Sequence, residues 1–312
     1  MKNNLHVLLG ASVADAAARP LHWVYDQKKL AKIIKNKKEF VFFKKNYCPF
    51  YKVKLGLTSG YNDVAQLMYQ TIKDSPEYIE TRFKKNIVKH FGPGSKYWKN
   101  LHIRKKYKKV KGRVFINGPW IHQNIIETID NIKKRKKVTG GKKVNESDGF
   151  CAALPYFLYF RDFKKTAHIV SLVANTKKSM NYAMAKFYLI NFALLGYKDP
   201  INEFLRLKIK SFKSIQSDIK KIKKMKSLNH TKITKKLGMA CSYPGTFNSS
   251  IHCIISSSNY QSAISKTIRA GGCNCSRSNF IGAYFSALKG EGDIPFNWVT
   301  RSSFSKSLLV DR

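Results

Sequence analysis

Acidic residues are scarce in this chain of 312 residues. Its 18 aspartates and glutamates stand against 59 lysines and arginines, which leaves a formal net charge of +41. Such a surplus is typical of proteins that bind nucleic acid or an anionic membrane. The lysines, however, are scattered over most polar segments, without a recognition motif or a single basic face. We therefore predict no specific nucleic-acid partner and attribute the surplus to compositional drift at solvated positions.

Long hydrophobic runs are also missing. The apolar run that begins at Leu5 soon meets Asp15 and Arg19, so it is too short and too polar for a signal peptide or a membrane span. We therefore expect no membrane partner. Hydrophobic residues still make up 43% of the chain, which is enough for a substantial core and excludes a disordered protein.

Cysteines are few, and their spacing excludes two common roles. The six thiols lack the Cys/His pattern of a structural zinc site, and the chain is too long and too helical for a disulfide scaffold. We expect reduced thiols in a cytoplasmic protein, or alternatively in a nuclear one. The sequence predicts no oligomeric state.

Helical periods recur from Asn4 to Leu288, whereas sustained strand alternation, fixed repeats and a Gly/Ser-rich linker are absent from the sequence. The predicted fold class is therefore all-α, with a single multi-helical domain over residues 1–312. Residues 101–118 are predicted to form a basic, mobile connection. The predicted helices cover residues 4–18, 28–38, 62–72, 76–90, 119–134, 147–160, 164–174, 177–195, a segment from 200, 208–226, 247–255, 260–270 and a segment after 272.

The first predicted helix is unusually thin, because Gly10, Ala11 and Ala14 give it very small side chains. A helix of this kind can pack closely on several neighbours, so we predict that it is central. Asp15 lies within this small-residue run. Two interpretations of Asp15 fit the sequence: a solvated or capping acid, and a buried carboxylate with a partner.

A second feature is the turn at Gly271 and Gly272, which separates two helical patterns. Asn274 or Ser276 is expected to cap the second helix, whose first N–H groups have no intrahelical partners. A glycine pair followed by small polar residues at a helix start is a place where proteins hold an anion or a metal. The alternative is a simple connection between two helices.

Two cysteines, Cys273 and Cys275, lie in this turn. One interpretation makes them redox-active thiolates, because the helix start and the neighbouring Arg277 would lower the pKa of a thiol. The other makes them inert, buried small residues. The sequence leaves both interpretations open.

Four segments, taken in chain order, resemble the ADP-ribosylglycohydrolases. Residues 10–15 with residues 20–26 resemble the opening helix and loop of that family, and Phe91-Gly92-Pro93-Gly94 is similar to its Tyr-Gly-Pro-Gly turn. Residues 145–150 are similar to its Gly-Asn-Gly-Ser stretch, and Gly271-Gly272 stands where the family has Gly-Gly-Asp-Thr-Asp-Thr. The segments around Tyr243 to Phe247 and around Cys273 are most similar to the branch that contains selenoprotein J and the J-type crystallins.

The resemblance implies an all-helical fold and a chemistry. In that family two magnesium ions in a central cleft hold the ribose of an ADP-ribosyl group and orient the water that cleaves the bond at the anomeric carbon. The ligands must be oxygens, since magnesium is a hard cation with strict octahedral geometry. An ADP-ribose-like small molecule is the implied partner.

The match is incomplete at the metal positions. The family's Thr-Asp-Asp-Thr run corresponds here to Tyr61 through Val64, where Asn62 replaces one carboxylate and Asp63 keeps the other. The Asp-Thr-Asp-Thr run corresponds to Cys273 through Ser276, where thiols replace both carboxylates. Magnesium, the cofactor of the family, is therefore expected to be absent or incomplete here. Asp63 is its one candidate ligand, and the alternative is that Asp63 or Asn62 caps a helix.

The resemblance also suggests further site residues. His22 is predicted to line the cleft where adenine or ribose would bind, although packing of an aromatic loop on the core explains it equally well. Asp148 is predicted near the cleft, with a helix N-cap as the alternative. We predict catalytic roles for Asp63, Cys273 and Cys275, and ligand-binding roles for Asp15, His22, Asn62, Asp148, Asn274 and Ser276.

Three functions remain after these comparisons of residues. The first is an ADP-ribosylglycohydrolase-like protein with a nucleotide-binding cleft and a largely lost two-magnesium site. The second is an active enzyme of another kind, either a non-standard hydrolase of ADP-ribosyl linkages or a thiol-redox enzyme. The third is a crystallin-like structural protein.

Overall fold

The structure, a computed structural model, describes residues 4–35, 37, 39–111 and 114–310, which form seventeen α-helices and very little sheet. The two short strands, β1 (Tyr51–Lys52) and β2 (Ile116–Asn117), pair in parallel. The predicted all-α fold is confirmed. The helices are α1 Leu5–Ala18, α2 Gln27–Ile34, α3 Gly60–Asp74, α4 Ile79–Phe91, α5 Lys96–Lys111, α6 Gln123–Lys133, α7 Asp148–Phe160, α8 Phe163–Val173, α9 Lys177–Leu194, α10 Pro200–Arg206, α11 Lys213–Lys223, α12 His230–Leu237, α13 Gly245–Ile255, α14 Tyr260–Ala270, α15 Asn274–Lys289, α16 Phe296–Val299 and α17 Ser303–Val310.

Helices α1 and α15 form the centre of the fold, and almost every residue of both is buried. Their backbones approach closely at two glycines: a Cβ atom added to Gly10 would lie 2.8 Å from the carbonyl oxygen of Gly282. The hydroxyl of Tyr260, on α14, donates a 2.6 Å hydrogen bond to the carbonyl of Gly10. The small residues of α1 therefore place it at the centre of the fold, as the sequence predicted.

The remaining helices surround this pair, with α3 packed on α7, α7 on α8, and α12 beside α13 and α14. Many of them begin where a short polar side chain accepts a hydrogen bond from the first turn, because the first N–H groups of a helix have no intrahelical partner. The residues that cap a helix in this way are Asp26, Asp162, Thr176, Asp199, Asn229 and Asn259.

Several predicted boundaries differ from the structure. Most of the predicted mobile connection over 101–118 is ordered, since α5 and β2 occupy it, and residues 112 and 113 lie outside the described part of the chain. Tyr97 and Leu101 anchor α5 with buried side chains. These two residues form only a narrow apolar face, which the many lysines around it hide in the sequence. Helix α12 was missed, and residues 36 and 38 of the predicted helix 28–38 lie outside the described residues.

The predicted caps were also wrong. Helix α3 begins at Gly60 after Ser59, so Asn62 and Asp63 lie within its first turn. Helix α15 begins at Asn274 itself, after Cys273, and no side chain caps it. The polar side chains at both helix starts are therefore free for tertiary contacts.

Candidate functional site

Asp15 is a buried carboxylate in the last turn of α1, and the solvated alternative is wrong. Its Oδ1 accepts a 2.6 Å hydrogen bond from the backbone N–H of Ser59, and its Oδ2 accepts a 2.7 Å bond from the Ser59 hydroxyl. Burial raises the pKa of Asp15 to about 7, against the opposing effect of the two bonds from Ser59. The N-terminal end of α3 is thereby tied to the central helix.

Asn62 and Asp63 follow in the first turn of α3 and point to different places. The amide oxygen of Asn62 accepts bonds from the Ser12 hydroxyl at 3.1 Å and the Asn279 amide at 3.2 Å, deep between α1 and α15. Asp63 instead lines a cavity of about 1010 Å³. Asn62 is thus a bridge between three helices, and Asp63 is the residue of this run that reaches a cavity.

Both carboxylate oxygens of Asp63 already accept hydrogen bonds. Thr58 donates to Oδ1 at 2.5 Å, and the phenol of Tyr97 donates to Oδ2. Burial nevertheless raises the pKa of Asp63 to about 6, although both bonds oppose the shift. Asp63 does not cap α3, and its two partners hold it against the wall of this cavity.

The two cysteines of the Gly-Gly turn have opposite environments. The Cys273 sulfur lies 3.4 Å from His22 Nε2 and accepts a 3.1 Å bond from the Ser276 hydroxyl. Burial by itself raises the pKa of Cys273, but Cys241, His22 and Ser276 together hold it well below its usual range. Cys275 donates to the backbone carbonyl of Asp15 at 3.7 Å, and burial raises its pKa.

Arg277 was predicted to lower the pKa of a neighbouring thiol, but its main contacts are with the backbone and side chains of other residues. Its guanidinium is fully buried and turns toward the end of α14, where Nε donates to the Thr267 hydroxyl at 3.0 Å and another nitrogen donates to the Gly271 carbonyl. The largest effects that lower the pKa of Cys273 come from Cys241 and His22. Arg277 therefore fixes the turn, and the neighbours that matter most to the thiol come from other segments.

The remaining candidates of this turn are also buried. The Asn274 amide donates to the carbonyl of Leu21 at 3.2 Å, and the Ser276 hydroxyl lies 3.0 Å from the hydroxyl of Thr246. His22 is buried against Cys273, and its Nδ1 has no hydrogen-bond partner among the residues that the structure describes. Asn274, Ser276 and His22 are thus packed in the interior, and none of them lines the cavity beside Asp63 or a smaller cavity beside His122.

His122 and Asp148 form a buried ion pair that sequence reasoning found only in part. The His122 Nδ1 lies 2.5 Å from Asp148 Oδ1, and the amide of Asn124 donates to Oδ2 at 3.0 Å. Burial alone would lower the pKa of His122, but the charge of Asp148 outweighs it and raises that pKa to about 9. Asp148 is the first residue of α7, so it is not the predicted N-cap, a position that Ser147 occupies.

An aromatic cavity of about 470 Å³ lies beside this ion pair. We define it by Trp23, Phe50, Arg104, Trp120, Glu146 and Cys241, with Tyr25 and His122 also in its wall. The guanidinium of Arg104 lies 4.0 Å from the centre of the Trp120 ring, which meets the Trp23 ring edge to face at 5.5 Å. Burial, and next the charge of Asp148, raise the pKa of Glu146 to about 8.

The structure therefore brings some predicted residues together and separates others. Cys275 contacts the backbone of Asp15, and the charge of Asp63 acts on the Asp15 carboxylate, so the two runs meet at α1. Within the described residues, no group of three or more His, Cys, Asp or Glu side chains is arranged to hold a metal ion. Sequence reasoning missed His122 and Cys241, which no local pattern singled out, and it included Glu146 only as a member of the segment 145–150, without a role.

The fold and this site define a class of protein. The family model described as ADP-ribosylglycohydrolase matches residues 3–309, and the chain belongs to this family. A solved structure of an ADP-ribosylglycohydrolase-related protein complex superposes with a TM-score of 0.64 at 11% identity, covering 99% of this chain and 96% of that one. At that identity the match shows the fold alone.

Two crystallins of Tripedalia cystophora are more similar to this chain in sequence than that solved structure is. Crystallin J1A is 27% identical over 308 residues, which cover 97% of this chain and 92% of the relative. Crystallin J1B is 25% identical over the same shares of both chains. The predicted resemblance to the family and to the J-type crystallins is confirmed. None of the described helices has the length and apolar character needed to cross a membrane.

Proposed function

We propose that this protein binds an ADP-ribosyl or related nucleotide ligand in the aromatic cavity and lacks the magnesium-dependent hydrolysis of its family. The observation that carries the proposal is the state of the residues at the family's metal positions. Cys273 and Cys275 are thiols, and Asn62 is an amide held between helices. The remaining carboxylate, Asp63, accepts hydrogen bonds from two donors.

Two magnesium ions do not fit these residues. Magnesium requires oxygen ligands in a near-octahedral arrangement, and the sulfurs of Cys273 and Cys275 are soft donors buried within the core. The Asn62 oxygen is committed to two hydrogen bonds, and releasing it would break contacts between three helices. Asp63 alone cannot hold two cations, so we derive no chemical step that passes through a metal.

The aromatic cavity has the chemistry of a nucleotide site. The rings of Trp23 and Trp120 offer faces on which a nucleobase can stack. Arg104 supplies a planar cation, which suits a phosphate. At neutral pH His122 is cationic and Glu146 is protonated, because their pKa values are raised to about 9 and about 8. The cavity therefore favours an anionic ligand that carries an aromatic base.

The crystallin-like structural role is the second candidate. It is supported by the two crystallin relatives, whose similarity extends over 97% of this chain. In that case the cavity would be a remnant of the fold, and the protein would bind no nucleotide. A residual hydrolase is the third candidate and depends on Asp63, the carboxylate that lines the larger cavity.

A hydrolysis assay separates the enzyme from the binding protein. Substrates with ADP-ribosyl groups on arginine, on serine and in poly-ADP-ribose are incubated with the protein in magnesium or in EDTA, beside an active family member. We expect no release of ADP-ribose above the protein-free control in either buffer. Magnesium-stimulated release that Asp63→Ala abolishes would establish the hydrolase and contradict the proposal.

A binding assay separates the binding protein from the structural one. Trp120→Ala should weaken ADP-ribose binding by about 5- to 150-fold, since stacking on an aromatic side chain contributes ~1–3 kcal/mol per base. Trp98→Ala is the matched control, because Trp98, on α5, is partly buried like Trp120 but does not line the aromatic cavity. If the wild-type protein binds no nucleotide, the structural role is the candidate function that remains.

A further inference from the structure

The larger cavity, of about 1010 Å³ beside Asp63, is lined by four lysines that have no part in the functions considered so far. Lys52 and Lys54 come from β1 and the residues just after it, and Lys96 and Lys99 come from the first turn of α5. All four residues are exposed, so their charged ends stay hydrated. Ammonium groups from two separate segments of the chain therefore share one cavity.

Several other polar groups of this wall are already used within the protein. The Gln66 amide donates to the Thr58 hydroxyl at 2.7 Å, and that hydroxyl donates in turn to Asp63. The Asn100 amide donates to the carbonyl of Pro119 at 2.9 Å. The four ammonium groups, in contrast, form no ion pair with any residue that the structure describes. They are the cationic donors that the cavity can offer to a ligand.

The charge around this cavity is mostly of one sign. Among the described residues that line it, Asp63 is the only acid, and its two oxygens accept hydrogen bonds from Thr58 and Tyr97. Like charges that surround one space repel each other, and an anion bound between them removes that repulsion. The cavity therefore favours a ligand with several negative charges.

We propose that the larger cavity binds a free, compact ligand that carries several phosphate groups, held between the lysines of the β1 segment and those of α5. Phosphate suits these residues, because a lysine ammonium group has three donors and binds phosphate as a point charge. The inference does not rest on nucleotide binding, since this cavity and the aromatic cavity have no lining residue in common. It also gives a function to part of a lysine surplus that the sequence attributed to compositional drift.

Calorimetric titration of the full-length protein with inorganic triphosphate, in EDTA at physiological ionic strength, tests the proposal. We expect one triphosphate per chain, with a dissociation constant at least about tenfold lower than that of orthophosphate, because a single phosphate group carries less charge and contacts fewer of the lysines. Equal affinities for the two anions, several triphosphates per chain or no binding of triphosphate would overturn the proposal.

Paired variants separate a defined site from the general attraction of a chain with a net charge of +41. Lys96→Gln/Lys99→Gln should weaken triphosphate binding by about 3- to 30-fold, through the loss of two exposed ion pairs. Lys28→Gln/Lys29→Gln is the matched control, because it removes the same charge from two exposed lysines in the first turn of α2, outside the cavity. The control should change the dissociation constant by less than about twofold, since salt screens exposed charges. Equal losses in both variants would show only nonspecific attraction and contradict the assignment.

A third variant tests the other side of the cavity. Lys52→Gln/Lys54→Gln should also weaken triphosphate binding by about 3- to 30-fold, because the ligand is expected to contact both segments. Wild-type affinity in this variant and in the α5 variant would place the ligand elsewhere and overturn the proposal. A protein that binds triphosphate in this way but does not bind ADP-ribose would support the phosphate site and contradict the proposed function.

Discussion

Replacement of Asp15 by asparagine should stabilise the protein at alkaline pH. The Asp15 carboxylate, on α1, is fully buried in the protein core, and its oxygens accept bonds from the N–H and the hydroxyl of Ser59. An asparagine has nearly the same shape, its amide oxygen can accept from the N–H, and the Ser59 hydroxyl can turn to accept from the new NH₂ group. The variant therefore removes a buried charge without opening a cavity or leaving a donor unpaired.

The magnitude follows from the raised pKa. The folded protein holds the Asp15 proton with a pKa of about 7, against 3.8 for the ordinary carboxyl of the unfolded chain. Because the folded state binds the proton more tightly, the contribution of this group to stability is greatest below pH 4 and is lost progressively as pH rises to 7. Linkage then gives a gain of about 3 kcal/mol for Asp15→Asn relative to wild type between pH 5 and pH 8.

Urea unfolding at pH 5 and pH 8, followed by circular dichroism, measures this change. The difference in unfolding free energy between Asp15→Asn and wild type should rise by about 3 kcal/mol between the two values. The same substitution at Asp130, an exposed aspartate of α6, should give no pH-dependent difference. Equal effects of Asp15→Asn at both pH values would refute the account of a charge-destabilised core.

Two further changes test the helix contact and the ion pair. Gly10→Ala should lower the free energy of unfolding by ~1–3 kcal/mol in urea titrations, because its Cβ would overlap Ser286 and the backbone of Gly282. Gly292→Ala, where a Cβ meets open space, should change it by less than about 0.5 kcal/mol. Asp148→Asn should lower the pKa of His122, measured by NMR titration, by roughly 1–3 units, because it removes the charge that raises it. An unchanged stability in Gly10→Ala, or an unchanged His122 pKa, would show that the corresponding contact is not formed.

The fold could be predicted where local sequence carries the cause. The small residues of α1 and the glycine pair before α15 produced the correct prediction of a central helix and of a turn. Helix α5 could not be predicted in this way, because its lysine-rich pattern gives a weak helical period and its order depends on a few buried side chains. The positions of the caps failed for a related reason, since polar residues that could cap a helix were used in tertiary contacts instead.

The site was less predictable than the fold. The resemblance located Asp63 and Cys273, but one partner of each, Tyr97 for Asp63 and His22 for Cys273, comes from a segment far away in sequence. Cys241 and His122 have no motif of their own, and their roles arise from packing of the segment after α12 and the segment before α6. Their identification therefore needed the tertiary structure.

Calorimetric titration of the protein with ADP-ribose, once in EDTA and once in magnesium, tests the central claim most directly. The cavity supplies aromatic faces, Arg104 and His122 from the chain itself, and the metal positions hold thiols and committed oxygens. We predict the same dissociation constant in both buffers, within about twofold, a difference of ~0.4 kcal/mol. Binding that occurs only in magnesium would contradict the account.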